Sequence, residues 1–188
     1  MTNPGSNASI DTKQFRNALG RFASGVTVLT APFEDQTHGM TANAFVSVSL
    51  DPPLILVSLD NRSNMHRILP QVRRFGISVL AEDQEALSNH FAGRLKPELH
   101  VRFVHRNGMP LVAGAVGYFV AEVFDIHPAG DHTLYISRVE HFEAGEGKPL
   151  LFFGGKYGQV REEKATATPW PQDEFSLFSI GNIDPPVG

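Results

Sequence analysis

Cysteine is absent from the 188 residues, and tryptophan occurs once. No thiol nucleophile, disulfide, thiolate-held cluster or cysteine-type zinc site is therefore available. Long apolar runs are missing as well. The cleanest of them, such as Leu54–Val57, fall far short of the roughly 20 residues that a membrane-spanning helix needs. The opening residues MTNPGSNASIDTK have neither a basic start nor an apolar stretch, so no secretory signal and a cytoplasmic location are expected. Positive charge is in slight deficit, with 16 Lys and Arg against 20 Asp and Glu, a net charge of -4 and a pI near 6.0. Nucleic-acid binding by phosphate neutralisation needs a basic footprint. The nearest candidate, Arg67, Arg73 and Arg74, has no aromatic interleaving and reads as a solvated face. There is no G-x-G-x-x-G, no P-loop, no G-x-S-x-G elbow and no H-E-x-x-H. The eight histidines are scattered, and His100 and His105 suit no common zinc spacing, so no metal site is expected.

What is present suits one globular domain. The hydrophobic fraction is 41% with 17 glycines, and the length matches about one domain. Residues 1–10 are small and polar and read as disordered. Residues 11–163 carry the periodic pattern of a single domain. The tail, 164–188, holds four of the 13 prolines and the lone Trp170. Its apolar residues Phe175, Leu177, Phe178 and Ile180 suggest packing on the body or on a partner subunit; a flap over a ligand is the sharper alternative.

A helix is expected to start at Asp11, whose carboxylate can accept from first-turn N–H groups, and to end at Gly25. Phe15, Leu19 and Phe22 share one face of it. From Val26 the period changes to two. Strands are predicted over 26–30, 41–50, 54–59, 75–80, 118–126, 133–142 and 150–153. Glu34-Asp35-Gln36 reads as a turn. Ser63 and Asp83 read as caps of two short helices, and 96–113 as irregular. Many strands and few helices suggest a closed β-barrel with helical additions.

Four small polar segments sit at strand ends. The first is Gly39 to Ser49, where small residues let a flat ring approach the backbone while Thr, Asn and Ser supply hydrogen bonds; the plainer reading is a strand with a polar outer face. The second is Asp60 to Asn64, at a strand-to-helix junction suited to phosphate or simply to an ordinary Ser cap. The third, Gly130-Asp131-His132, is a hairpin turn or a rim that presents a histidine. The fourth, Gly154 to Gly158, is a glycine-rich turn or a flexible basic-aromatic loop.

Taken in order, the strings FRNALGRFASGVTV (15–28), GMTANAFVSVSLDPP (39–53), FGISVL (75–80), LSNHFAG (87–93), GDHTLYISRV (130–139) and PLLFFGGKYG (149–158) resemble the flavin reductase family. The chain is most similar to reductase components of two-component aromatic hydroxylases, of the phenol or 4-hydroxyphenylacetate type. The resemblance covers about residues 12–160. It implies a mainly β fold, an FMN-binding split β-barrel of Greek-key type with a few flanking helices. It implies NAD(P)H-dependent reduction of FAD or FMN, with FAD favoured over FMN and NADH over NADPH. It also implies a homodimer that releases reduced flavin to a separate oxygenase component.

By family position, Met40, Thr41, Ala42, Asn43 and Ala44 line the flavin ring and ribityl chain. Ser47, Asn61, Ser63 and Asn64 lie near its tail and phosphate. Ser88, Asn89, Phe91, Ala92 and Gly93 form a second contact segment. Lys156 and Tyr157 belong to a loop that closes over the cofactor, and His132 lies beside the nicotinamide. Hydride transfer between the two cofactors needs no protein acid, base or nucleophile, only stacked geometry, so a chain without a triad can still be an enzyme. The rivals are a non-enzymatic flavin-binding electron carrier on the same fold, a pyridoxamine-phosphate oxidase-like enzyme, and a plain interaction module.

Overall fold

Asp11 starts the first helix as its side chain predicts. In the computed structural model of the chain, which describes residues 10–161, its carboxylate accepts from the N–H groups of Lys13 at 2.8 Å and Gln14 at 3.2 Å. Helix α1 (Thr12–Leu19) ends earlier than expected, at Gly20, which stays in helical conformation. Gly25 does not terminate it. It lies instead in β1 (Ser24–Gly25), drawn out into pairing with Leu151. The expectations for residues 1–9 and for the tail 164–188 lie outside the described residues.

Strands β2 (Thr27–Phe33) and β3 (Gln36–Ala42) form a hairpin across Glu34 and Asp35, both at positive φ (51° and 59°) as a two-residue primed turn demands. The single strand expected over 41–50 is two. β3 stops at Ala42 because its partner β2 begins at Thr27. After Asn43 and Ala44 the chain restarts as β4 (Phe45–Leu50), paired with β5 (Pro53–Asp60). Ser63 caps α2 (Asn64–Val72) by accepting from the His66 N–H at 3.1 Å. β6 (Arg74–Val79) follows, then α3 (Glu85–Phe91).

Asp83 does not cap α3. Gln84 occupies that position, and its side chain turns away to accept from the Ala81 N–H (3.0 Å) and donate to the Ala113 carbonyl (2.8 Å). The stretch expected to be irregular holds a hairpin, β7 (Phe103–Arg106) and β8 (Met109–Val112), turned at Asn107-Gly108 with both φ positive. The long strands are β9 (Gly117–Ala129) and β10 (His132–Ala144), and the last hairpin is β11 (Leu151–Phe153) with β12 (Lys156–Gly158).

Seven strands form one antiparallel sheet in the order β3-β2-β6-β9-β10-β5-β4. In a flat sheet β4 and β9, three spacings apart, would be separated by roughly 14 Å. Yet the rings of Phe45 on β4 and Phe119 on β9 lie 5.4 Å apart, centroid to centroid. The sheet therefore curls around its own core. The strand pattern predicts a closed barrel, but no ladder joins β3 to β4, so the barrel is split there, as the family resemblance implies.

The interior holds Leu29, Val57, Leu59, Phe75, Ile77 and Tyr135, all fully buried, and α2 adds Met65, Ile68 and Leu69 from one face. Each such side chain contributes about 1.5–3 kcal/mol by leaving water. A second cluster, around Val26, Val28, Leu80, Val112 and Leu150, seats α3 through Leu87 and Phe91. No helix among the described residues is long and apolar enough to cross a membrane.

Candidate active site

The site lies where β3 ends and the ladder splits. Three elements meet there. Thr41, at the end of β3, donates its hydroxyl to the Ser88 carbonyl of α3 at 2.7 Å. Ser88, fully buried, shares a 2.9 Å hydrogen bond between its Oγ and the hydroxyl of Tyr157 on β12. The Tyr157 ring meets Phe152 edge-on at 5.5 Å. Gly39 makes the junction sterically possible. A Cβ at that position would stand 2.3 Å from the Phe91 ring, so only glycine lets α3 settle on β3 this closely. Gly154 and Gly155, both at positive φ, turn the β11–β12 hairpin, and the Gly154 N–H ties it to the Gly20 carbonyl at 2.8 Å.

Between these elements lies a cleft of about 310 Å³. Of the residues expected at the site, the fold brings Thr41, Ala42, Asn43, Ser88, Asn89, Ala92 and Tyr157 to its wall. Val26, Arg94, Phe152 and Gly155 line it too and were not among the expected site residues. Gly155 was within a motif already singled out. Arg94 and Phe152 carried no local signal beyond following FAG and closing an apolar run. Met40, Ala44, Phe91, Gly93 and Lys156 sit beside the cleft without lining it. Met40 packs against the barrel core and Phe91 against the second cluster. Ser47 lies exposed on β4.

Asn61, Ser63, Asn64 and His132 form a separate group. The Asn61 N–H donates to the Asp131 carbonyl at 3.0 Å, its Nδ2 donates to the Gly130 carbonyl at 3.3 Å, and its Oδ1 accepts from Thr133 at 2.7 Å. Asn61 thus clamps the tip of the β9–β10 hairpin. Asn64 accepts from Arg67, and Ser63 caps α2. His132 Nδ1 lies 2.7 Å from Asp131 Oδ1, and this hydrogen bond lowers the Asp131 carboxyl below its ordinary range. Arg62 grips Asp60 through Nη2–Oδ2 at 2.6 Å and Nε–Oδ1 at 3.0 Å, and holds that carboxyl well below the usual range.

The two groups share one end of the barrel. Ser58 donates to the Ala44 carbonyl at 3.1 Å and pairs with Leu134, two residues along β10 from His132. That places them about two strand spacings apart, roughly 10 Å.

The cleft's donor set fits a flat heterocycle with a polar tail. Ala42, Ala92 and Gly155 leave space beside a ring. Phe152 and Tyr157 offer aromatic walls, the Thr41–Asn43 backbone leaves the ladder there, and Arg94 supplies a cation. A volume of this size is ordinary for a cofactor site, about 300 Å³ or more.

Residues 19–161 match the family described as the flavin reductase like domain. The chain belongs to that family. Among curated flavin reductases, it is 49% identical over 158 residues to an NADH-dependent flavin reductase of a Rhodococcus species, which covers 82% of this chain and 89% of the relative. It is 40% identical over 147 residues to the reductase component of 4-hydroxyphenylacetate 3-monooxygenase of Thermus thermophilus, covering 78% of this chain and 95% of the other. Among solved structures of flavin reductases, PheA2 in its native state superposes with a TM-score of 0.79 at 42% identity, over 81% of this chain and all of the other. A Streptomyces globisporus NADH:FAD oxidoreductase in complex with NAD and FAD fragments gives 0.76 at 33% identity, over 82% and 96%.

Proposed function

We propose that this flavin reductase oxidises NADH, reduces a flavin bound in the cleft between β3, α3 and the β11–β12 hairpin, and supplies the reduced flavin to a separate oxygenase component. The observation that carries the reading is the convergence of Thr41, Ser88 and Tyr157 on one cleft in a chain of this family. Bound flavin supplies the hydride acceptor and NADH the donor. The chain's own task is geometry. The Thr41–Asn43 edge orients the ring system, and Phe152 with Tyr157 keeps water from one flank. His132, with Nδ1 engaged by Asp131, keeps Nε2 available to position the nicotinamide. Reacting atoms need to be held about 3–3.5 Å apart, and positioning groups suffice for that.

The protein acts as a homodimer in this reading. α1 buries none of its residues, and Phe15, Leu19 and Phe22 stand 54%, 58% and 82% exposed. An amphipathic helix with its apolar face uncovered calls for a partner surface. Leu19 and Phe22 also line a depression of about 520 Å³ with Val46 and Asn43, and Asn43 belongs to the cleft as well. A second copy seated on that face would border both sites.

The deciding experiment adds NADH and FAD or FMN to the purified chain and follows loss of the reduced-nicotinamide absorbance. Flavin-dependent oxidation is expected. Flavin binding without oxidation would turn the reading into that of an electron carrier.

A further inference from the structure

Arg94 is the one formally charged side chain lining the cleft among the described residues, and no carboxylate lines it. It stands just past α3, held in place by Asn89. The Arg94 N–H donates to the Asn89 carbonyl at 3.0 Å, and Nη1 donates to Asn89 Oδ1, also at 3.0 Å. Asn89 is itself fixed, with Nδ2 donating to the Glu85 carbonyl at 3.1 Å. One guanidinium nitrogen is therefore used to aim the group. Nε and Nη2 have no protein acceptor among the described residues. A planar fork with free N–H groups matches two phosphate oxygens at once.

From this arrangement we infer that Arg94 recognises the phosphate of the flavin and makes the protein select phosphorylated flavins over riboflavin, with Asn89 as its positioning residue. The inference rests on the flavin-reductase reading and adds to it the part of the ligand that is read by charge. The flavin ring and ribityl chain are uncharged, so they cannot use a cation at this place. The phosphate of FMN and the diphosphate of FAD can.

The test compares FMN with riboflavin. Quenching of flavin fluorescence gives both affinities for the full chain and for Arg94→Gln, with no NADH present. Charge-assisted hydrogen bonds of this type predict that Arg94→Gln weakens FMN about 10- to 100-fold and leaves riboflavin within about twofold. Arg94→Lys should recover part of the loss, since it keeps the charge and loses the fork. Raised salt should weaken FMN binding to the natural chain more than to Arg94→Gln. Equal weakening of both flavins, or no change in either, overturns the inference. With NADH, the same split should appear in KM while kcat holds. A natural chain that binds FMN but leaves NADH unoxidised defeats the reductase reading and leaves the Arg94 result standing. One that binds neither flavin defeats both.

Discussion

The Tyr157 hydroxyl lies 2.9 Å from Oγ of Ser88, and Ser88 has no exposed surface at all. This bond joins the last hairpin to α3, while the Ser88 carbonyl, accepting from Thr41, joins α3 to β3. The two substitutions that break it should not be equivalent. Tyr157→Phe leaves a buried hydroxyl without its partner and should cost about 1–3 kcal/mol. Ser88→Ala leaves only the half-exposed Tyr157 hydroxyl, which water can reach, and should cost less. Thermal unfolding reads the difference at about 2–4 °C per kcal/mol for a chain of this size. Both variants should raise KM for flavin.

Gly39→Ala should push α3 off β3. The added methyl would meet the Phe91 ring at 2.3 Å, and relieving such overpacking costs about 1–3 kcal/mol. The Thr41–Ser88 bond should lengthen and flavin affinity fall. Gly39→Ala with Phe91→Leu should recover part of the stability. Equal stability of the single and double variants would show that the ring simply swings aside.

His132→Ala should separate binding from turnover. With Asp131 holding Nδ1 at 2.7 Å, the ring is a positioning group for the nicotinamide and does not line the flavin cleft. Turnover with NADH should fall about 10- to 100-fold. Flavin affinity by fluorescence should stay near the natural value, and equal loss of both would refute the role.

Acid should weaken the fold through its depressed carboxylates. Asp60 and Asp131 are lowered chiefly by hydrogen bonds to Arg62 and His132, and Glu143 by Arg106. In the unfolded chain such groups titrate near pH 4. Their folded values lie lower, so the stability they add is present above about pH 4 and is lost as pH falls through the folded values. The urea midpoint should drop across that window, and Asp60→Asn should flatten the slope. These groups are exposed, so the change is small.

Leu19→Glu should dissociate the homodimer. It places a charge on the apolar face of α1, in a position 58% exposed in the single chain. Losing one buried leucine on each side of a two-fold interface should weaken association by at least about 100-fold. Light scattering should then report a monomer, with lower flavin affinity. A natural chain that is itself monomeric would end the dimer reading.

Much of this fold was readable from local chemistry. Asp11 and Ser63 cap helices because a short acceptor side chain precedes a run of free N–H groups, whatever surrounds it. The Glu34-Asp35 turn was legible between two alternating runs. Asn107-Gly108 was equally legible as a hairpin turn, and reading 96–113 as irregular overlooked it; Pro110, inside β8, disguised the strand. The break at Asn43-Ala44 had no local mark. Alternation runs straight through it, and the chain divides only because β2 claims one half and β5 the other.

The site divides in the same way. The small polar residues Thr41, Asn43, Ser88 and Asn89 announce hydrogen bonding to a ligand by their type alone. The order of the motifs that carry them points to the family. Arg94 and Phe152 are ordinary residues until α3 and β11 are brought to the open edge of β3. Conversely, Asn61 and His132 belong to a second group about two strands away. Helix caps, turns and the choice of cofactor-binding residues depend on neighbours a few positions off along the chain, so they are encoded locally. Which side chains share a wall, and which cation faces the ligand, depends on strand partners more than a hundred residues apart, such as Ser24 and Phe152, and is settled only when the sheet curls.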